Sequence, residues 1–304
     1  AMDKNTGHIL QVGAAARNML GRTPGNVVAM RPLKSGVISD HEMTVRMLQT
    51  LFRQVTKSSL FTPKPRVVIS VPSGVTEVEE RTVINAVMDA GARRVYLIEE
   101  PLAAALGANL DIGGPNGHMI VDIGGGTTDV AVLTLNGVAA SSSIKVAGDS
   151  FDSAISLYIK KKYNLLIGER TAEDIKIKIG SAMEYAGEGR MEIKGRNLVD
   201  GLPKNITITS EEIREALSDN VNQILDAIKS TLEKTPPELA ADIIDRGIML
   251  TGGGAMLRGL DKLIAAETKI PVLIAANPLD CVADGTGICL ENADLNVATN
   301  KKYI

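Results

Sequence analysis

Two cysteines and three histidines are all that this 304-residue chain offers toward thiolate or imidazole chemistry. Cys281 and Cys289 are too few for a disulfide framework or a zinc site, and they fit a reducing cytoplasm. His8, His41 and His118 are scattered, so no histidine metal motif or nucleophile triad is visible. No run approaches the roughly 20 apolar residues that a spanning helix needs, and no signal-peptide pattern is present. Basic excess is missing too: the formal charge of −3 disfavours nonspecific nucleic-acid binding. Hydrophobic residues make up 44% and charged residues 23%, which fits a folded chain and, at this length, two domains.

What is present is glycine in two concentrated runs. Residues 119–130 read Met-Ile-Val-Asp-Ile-Gly-Gly-Gly-Thr-Thr-Asp-Val. Bare backbone after an apolar strand can approach an anion and point N–H groups at it. A dinucleotide site would continue into a helix, but here Val130, Val132 and Leu133 continue as a strand. Asn136-Gly137 is a type I′ hairpin signal, and residues 138–146 run back. An ordinary tight turn would not need three glycines, two threonines and the bracketing Asp122 and Asp129 together. The second run, Gly247-Ile-Met-Leu-Thr-Gly-Gly-Gly254, is a buried strand ending in glycines. It is expected to enter a helix carrying Leu257, Leu260, Leu263 and Ile264 on one face. Such glycines serve either a nucleotide or close strand–helix packing.

Between these landmarks the pattern alternates. A turn at residues 3–7 precedes a short strand at 8–12, and the chain is expected to start inside a hairpin whose first strand lies upstream. Helices are expected over 40–57, 76–90 and 102–108, with strands at 67–71 and 95–98, which is the order of an α/β domain. Helices follow at 151–163 and 171–179, then a polar β region at 181–208. A long helix begins at Ser210, with Ile213, Leu217, Val221, Ile224, Ile228 and Leu232 on one side, and Pro236-Pro237 ends it. A final helix spans about residues 281–290.

With residues 122–129, Gly252 to Gly254 and the Glu99-Glu100-Pro101 step in hand, the chain resembles the MreB/Mbl family of bacterial actins. Residues 21–26, 167–176 and 235–239 carry further likeness, and the resemblance runs from residue 3 to about 291. The family's N-terminal Asp-Leu-Gly-Thr type phosphate hairpin is absent from this sequence, and Asp284 stands where an apolar residue or glycine is expected. The resemblance implies an actin-like (ribonuclease H-like) two-domain α/β ATPase fold with the nucleotide cleft between the domains. The implied first domain has a small part at 1–38 and a core at 39–112 and 281–304. The second has its core at 113–147 and 210–280 and its small part at 148–209.

For ATP and Mg²⁺ the residues offer the parts phosphoryl transfer needs. Gly124, Gly125 and Gly126 would donate N–H groups to phosphates, and Gly252, Gly253 and Gly254 would face the nucleotide. Asp122 at a strand end can hold Mg²⁺ through its water shell. By resemblance, Thr127 and Glu100 would orient the attacking water. The following proline favours an extended Glu100 projecting from a strand end, against the alternative of a solvated charge at a helix start; Glu99 is the alternative to Glu100. Glu173 and Lys176 share a helical face, where they pair or reach one ligand, and the family uses this helix near the adenosine end. Leu60 and Phe61 sit in a loop between Lys57 and Lys64 and either tuck under the preceding helix or insert into a membrane. The family's hydrophobic loop favours insertion.

The resemblance thus implies a filament-forming ATPase at the inner membrane face, peripheral and cytoplasmic, that organises cell-wall elongation proteins and rod shape, with no nucleic-acid partner. The alternatives are a non-polymerising actin-superfamily ATPase and a structural scaffold that binds nucleotide without turnover.

Overall fold

The computed structural model describes residues 1–56 and 63–291, with a two-residue strand at Lys302–Tyr303. The chain divides into two compact units, one of Ala1–Ile69, Val75–Leu97 and Lys301–Ile304, the other of Ser70–Gly74 and Ile98–Asn300.

The first unit opens with short elements: β1 (Met2–Asp3), α1 (Ala14–Arg17), β2 (Val27–Val28), β3 (Leu33–Lys34) and β4 (Val37–Ile38). The turn at residues 3–7 forms because the Asp3 carboxylate accepts the Asn5 and Thr6 N–H groups at 2.8 and 3.0 Å. The strand expected at 8–12 shrinks to one bridge, Met2 with Ile9. Its cause is local, since the Leu10 and Gln11 N–H groups both turn to the Ala1 carbonyl, which no ladder can continue. Helix α2 (His41–Val55) is capped by Asp40, and α3 (Glu77–Asp89) by a Thr76–Glu79 capping box. Strands β5 (Arg66–Val71) and β6 (Arg94–Glu99) pair beside β15 (Lys302–Tyr303).

The second unit starts with α4 (Glu100–Gly107) and then forms a strand meander, β7 (His118–Ile123), β8 (Thr128–Thr134) and β9 (Gly137–Ile144). Next come α5 (Gly148–Tyr163), β10 (Leu165–Leu166), α6 (Glu169–Ile179), β11 (Arg190–Asn197), β12 (Pro203–Thr209), α7 (Ser210–Glu233), α8 (Pro237–Arg246) and β13 (Ile248–Thr251). A 3₁₀ turn over Gly253–Met256, α9 (Leu260–Thr268), β14 (Val272–Ile274) and α10 (Cys281–Glu291) complete it. The main sheet has the order β14-β13-β7-β8-β9, with β14, β13 and β7 parallel and the rest antiparallel.

Every residue of β7 is buried, so both faces of the sheet centre are covered. Met119, Val121, Ile123, Val130 and Val132 join the core built with α5, α6, α7 and α9. On α5, Phe151, Ile155 and Ile159 recur at helical spacing and are fully buried, each contributing about 1.5–3 kcal/mol of hydrophobic stabilisation. The long helix α7 buries Ile213, Leu217, Val221, Ile224 and Ile228 as the periodicity predicts. The alternate residues, Ile120 and Asp122 on β7 with Asp129 and Ala131 on β8, point to the opposite face. Helices α4 and α10 approach at backbone distance, since a Cβ on Gly285 would fall 1.8 Å from the Ala103 carbonyl. Asp284 beside it is exposed, so the departure noted there touches no core.

Three further local expectations are corrected. Helix α8 was not foreseen; Pro237 stops α7 but also starts α8, because a proline's missing N–H is no loss in the first helical turn. The hairpin after β8 turns at Leu135 and Asn136, with φ of 50° and 57°, one residue earlier than Asn136-Gly137 predicts. The Leu135 and Asn136 N–H groups donate to the Gly114 and Ile112 carbonyls, so a neighbouring loop holds the turn at this register. After β13 the chain makes a 3₁₀ turn and a break at Gly259 (φ 77°) before α9 begins, where one continuous helix was expected.

Candidate functional site

The register of the main sheet lines up four polar side chains. Thr251 on β13 pairs with Asp122 on β7, Asp122 with Asp129 on β8, and Asp129 with Ser143 on β9. Asp122 and Asp129 share the strand ends next to the glycine run, on the face away from the α5–α7 core. Asp122 Oδ1 accepts a 2.8 Å hydrogen bond from the Thr251 hydroxyl. Burial raises the Asp122 pKa to about 6; the Thr251 hydrogen bond opposes the rise and the Asp129 charge adds to it. Asp129 is fully buried, and Oδ1 accepts the Ser73 N–H at 2.7 Å. Its Oδ2 has no partner among the described residues. Burial raises its pKa as well, against the Ser73 N–H.

Glu100 is the first residue of α4, with Glu99 as the extended N-cap. Both sequence readings of Glu100 are corrected: it belongs to a helix, not to a strand end, and it is half-buried, not a solvated charge. Pro101 suits the first helical turn, so the helix starts earlier than the proline alone predicts. Burial, then the charges of Asp129 and Asp122, push the Glu100 pKa up to about 8. Glu99 accepts the Ser73 hydroxyl at 2.9 Å through Oε2, and its charge adds to the rise at Asp129.

The first glycine run bends β7 into β8 as expected. The Gly124 N–H donates to the Thr127 carbonyl at 2.9 Å, so it closes the turn and is not open to an anion, contrary to the reading of all three glycines as donors. The Gly124 and Gly125 carbonyls accept the Gly148 and Asp149 N–H groups at the start of α5, at 3.1 and 2.7 Å. In a planar trans peptide the N–H points opposite to the carbonyl. The N–H groups of Gly125 and Gly126 therefore point away from α5, and neither has an acceptor among the described residues. A Cβ on Gly125 would meet nothing within 4 Å, so this chain's own packing gives no reason for glycine there. Thr127 is buried with its hydroxyl near Asp129, whereas the Thr128 hydroxyl donates to the Val146 carbonyl at 2.6 Å.

In the second run packing is decisive. A Cβ on Gly252 would lie 2.3 Å from the Ile123 carbonyl, and one on Gly254 would lie 2.2 Å from the Ile123 side chain. Gly252 also has φ 80° and donates its N–H to the Pro278 carbonyl. These two glycines let the second loop pack onto the end of β7. At Gly253 the nearest atom is the flexible end of Leu279 at 3.0 Å. The four-residue 3₁₀ turn that follows has too few aligned peptides to act as a helix N-terminus.

Lys176 on α6 pairs with Asp152 at 2.9 Å and donates to the Gly148 carbonyl at 3.1 Å, so its charge bears on the α5 start that holds the first loop. Glu173 adds negative charge near Asp152. Leu60 and Phe61 lie outside the described residues. Sequence reasoning gave no role to Ser73, Thr251, Ser143 or Asp152. The Pro72-Ser73-Gly74 turn after a buried strand, and the threonine heading the second glycine run, were the available signals.

Comparison with known proteins matches this arrangement to one family. The family model described as MreB/Mbl protein matches residues 1–298. The cell shape-determining protein Mbl of Bacillus cereus is 56% identical over 294 residues, covering 97% of this chain and 88% of that protein. The cell shape-determining protein MreB of Escherichia coli K12 is 51% identical over 288 residues, covering 95% and 83%. Among solved structures, MreB5 of Spiroplasma citri bound to AMPPNP superposes with a TM-score of 0.90 at 41% identity, covering 99% of this chain and 90% of that one. Its ADP-bound form gives 0.89 at the same identity and coverage. The MamK double helical filament shares the fold, with a TM-score of 0.74 at 19% identity over 86% of this chain and 81% of that one. The fold is the actin-like α/β fold, and the chain belongs to the MreB/Mbl family.

Proposed function

We propose that this chain is an ATP-dependent bacterial actin that forms filaments on the inner membrane face and organises cell-wall growth to maintain rod shape. The observation that carries the nucleotide reading is the buried row Thr251, Asp122 and Asp129 at the strand ends that lead into the two glycine runs, with Glu100 close enough to feel both aspartate charges. MreB5 of Spiroplasma citri, bound to ADP and to AMPPNP, supports nucleotide binding. The names of the Mbl and MreB relatives support the role in cell shape.

Phosphates would meet the outward N–H groups of Gly125 and Gly126 and the backbone of Gly253 and Gly254. Glu173 and Lys176 would reach the adenosine end, Lys176 while also bracing the first loop. A divalent cation fits the donor set: Asp122 and Asp129 are buried carboxylates paired across neighbouring strands, and Asp129 Oδ2 lacks a partner among the described residues. Asp122 would hold Mg²⁺ through its water shell, as that hard ion prefers. When bound, Mg²⁺ neutralises charge on the β- and γ-phosphates. Glu100 and Thr127 would orient the attacking water, and the raised pKa of Glu100 suits it to exchange a proton near neutral pH. The four-part division at 1–38, 39–112 with 281–304, 113–147 with 210–280, and 148–209 belongs to the same proposal.

No helix among the described residues is long and apolar enough to cross a membrane. Attachment is assigned to the pair Leu60 and Phe61, which lies in the sequence between Lys57 and Lys64, multiplied along a polymer. The test is pelleting with and without ATP, alongside phosphate release, for the full-length protein and Asp122→Ala. ATP-dependent pelleting and magnesium-dependent release, both lost in the variant, are expected. Release without pelleting would indicate a non-polymerising ATPase. Pelleting without release would indicate a scaffold, and unchanged turnover in Asp122→Ala would remove the metal assignment.

A further inference from the structure

Two glutamates adjoin at the start of α4, and the structure links the first of them to the acid row through a serine. Ser73 lies in the turn after β5, within the Ser70–Gly74 stretch that belongs to the second unit, and only 3% of it is exposed. The turn is possible because Gly74 takes φ 80°. Two separate donors of Ser73 reach two carboxylates: its N–H meets Asp129 Oδ1 at 2.7 Å, and its hydroxyl meets Glu99 Oε2 at 2.9 Å. Glu99 makes no side-chain cap on its own helix, so its carboxylate is not held by α4 itself.

We infer that Ser73 is a positioning residue that ties Glu99 to Asp129 and so fixes the start of α4, and with it the place of Glu100 at the acid row. The inference rests on the ATPase reading above. Glu99 and Glu100 follow each other along the chain, as the N-cap and the first residue of α4. With Glu99 held by the Ser73 hydroxyl, the N-cap is pinned and the direction of Glu100 follows. Without that hydroxyl, Glu99 is released and the helix start loses a tether to β8. Hydrogen bonds to charged groups are among the stronger ones in proteins, which is what a tether needs. The N–H bond to Asp129 does not depend on the side chain, so a substitution can remove one link and keep the other.

The experiment is steady-state ATP hydrolysis and nucleotide affinity for wild type, Ser73→Ala, Glu99→Ala and the double variant, with melting temperatures to verify folding. Ser73→Ala is expected to lower kcat about tenfold, the scale of a small misplacement of a catalytic group, with nucleotide affinity within twofold. In the Glu99→Ala background the same substitution is expected to change nothing further, because the link is already gone. Ser73→Thr, which keeps the hydroxyl, is expected to restore most of the rate. Equal effects of Ser73→Ala in both backgrounds, a loss of affinity instead of rate, or an unaltered rate would each overturn the inference while leaving the ATPase reading standing. Absence of turnover in the wild type would instead overturn that reading, and the inference with it. If Ser73→Ala melts early, the Thr variant decides: full activity supports the tether, and loss of rate in a stably folded Thr variant opposes it.

Discussion

The Thr251 hydroxyl donates to Asp122 Oδ1 at 2.8 Å across 129 residues of sequence. That bond joins the strand before the second glycine loop to the strand before the first, and it satisfies one oxygen of a buried carboxylate. Thr251→Val keeps the shape and removes the donor. The expected cost is about 1–3 kcal/mol at neutral pH, the penalty of leaving a buried acceptor unmet, measured by urea unfolding. An unchanged midpoint would mean that water replaces the hydroxyl.

Glu100→Ala is expected to slow hydrolysis at saturating nucleotide far more than it weakens binding, since orienting water acts mainly in the transition state. Single-turnover phosphate release and equilibrium nucleotide binding separate the two effects. A fall in affinity with the rate held would make Glu100 a binding or structural residue.

The nucleotide-free protein is expected to lose stability as pH rises. Glu100 goes from an ordinary 4.5 to about 8 and Asp122 from 3.8 to about 6 on folding. Both shifts are upward, so the folded state binds these protons more tightly than the unfolded chain does. Their stabilisation is complete below about pH 4 and is lost as pH climbs through 6 and then 8. Glu100→Gln is expected to gain on the order of 2 kcal/mol at pH 8, allowing for solvent screening of a half-buried group, and little at pH 4. Denaturation curves at the two pH values check this, and equal gains at both would contradict it.

The two glycine loops are expected to respond differently to alanine. Gly252→Ala places a Cβ 2.3 Å from the Ile123 carbonyl at φ 80°, and a loss of more than about 2 kcal/mol is expected. Gly125→Ala meets only open space, so stability should change by less than about 1 kcal/mol while nucleotide affinity falls. Thermal melts and nucleotide titration together distinguish the packing glycine from the ligand-facing one.

Replacing Leu60 and Phe61 with serine is expected to lower co-sedimentation with anionic liposomes and to leave polymerisation intact, because neither glycine loop is touched. Full burial of two such side chains is worth roughly 3–6 kcal/mol, of which shallow insertion realises part. Undiminished liposome binding would locate the membrane site elsewhere.

The sequence by itself determined much of the local structure. Period-two and helical patterns delimited β7, β8, α2, α3, α5 and α7. The glycine run between two strands, bracketed by Asp122 and Asp129, marked the turn from β7 into β8, and together with the second run and Glu99-Glu100-Pro101 it pointed to the family. Those signals are short-range, arising from side-chain alternation, capping and turn chemistry within a few residues. What only the tertiary structure decided is which distant residues share a row. Alternation along β7 tells which face Asp122 occupies, but not that Thr251 pairs with it, because interstrand register depends on how whole strands pack. The same holds for Ser73 holding Glu99, for Gly252 and Gly254 yielding to Ile123 while Gly125 yields to nothing, and for the early turn at Leu135. Each is set by an atom contributed from another part of the chain, and contacts of that kind exist only once the core has brought those parts together.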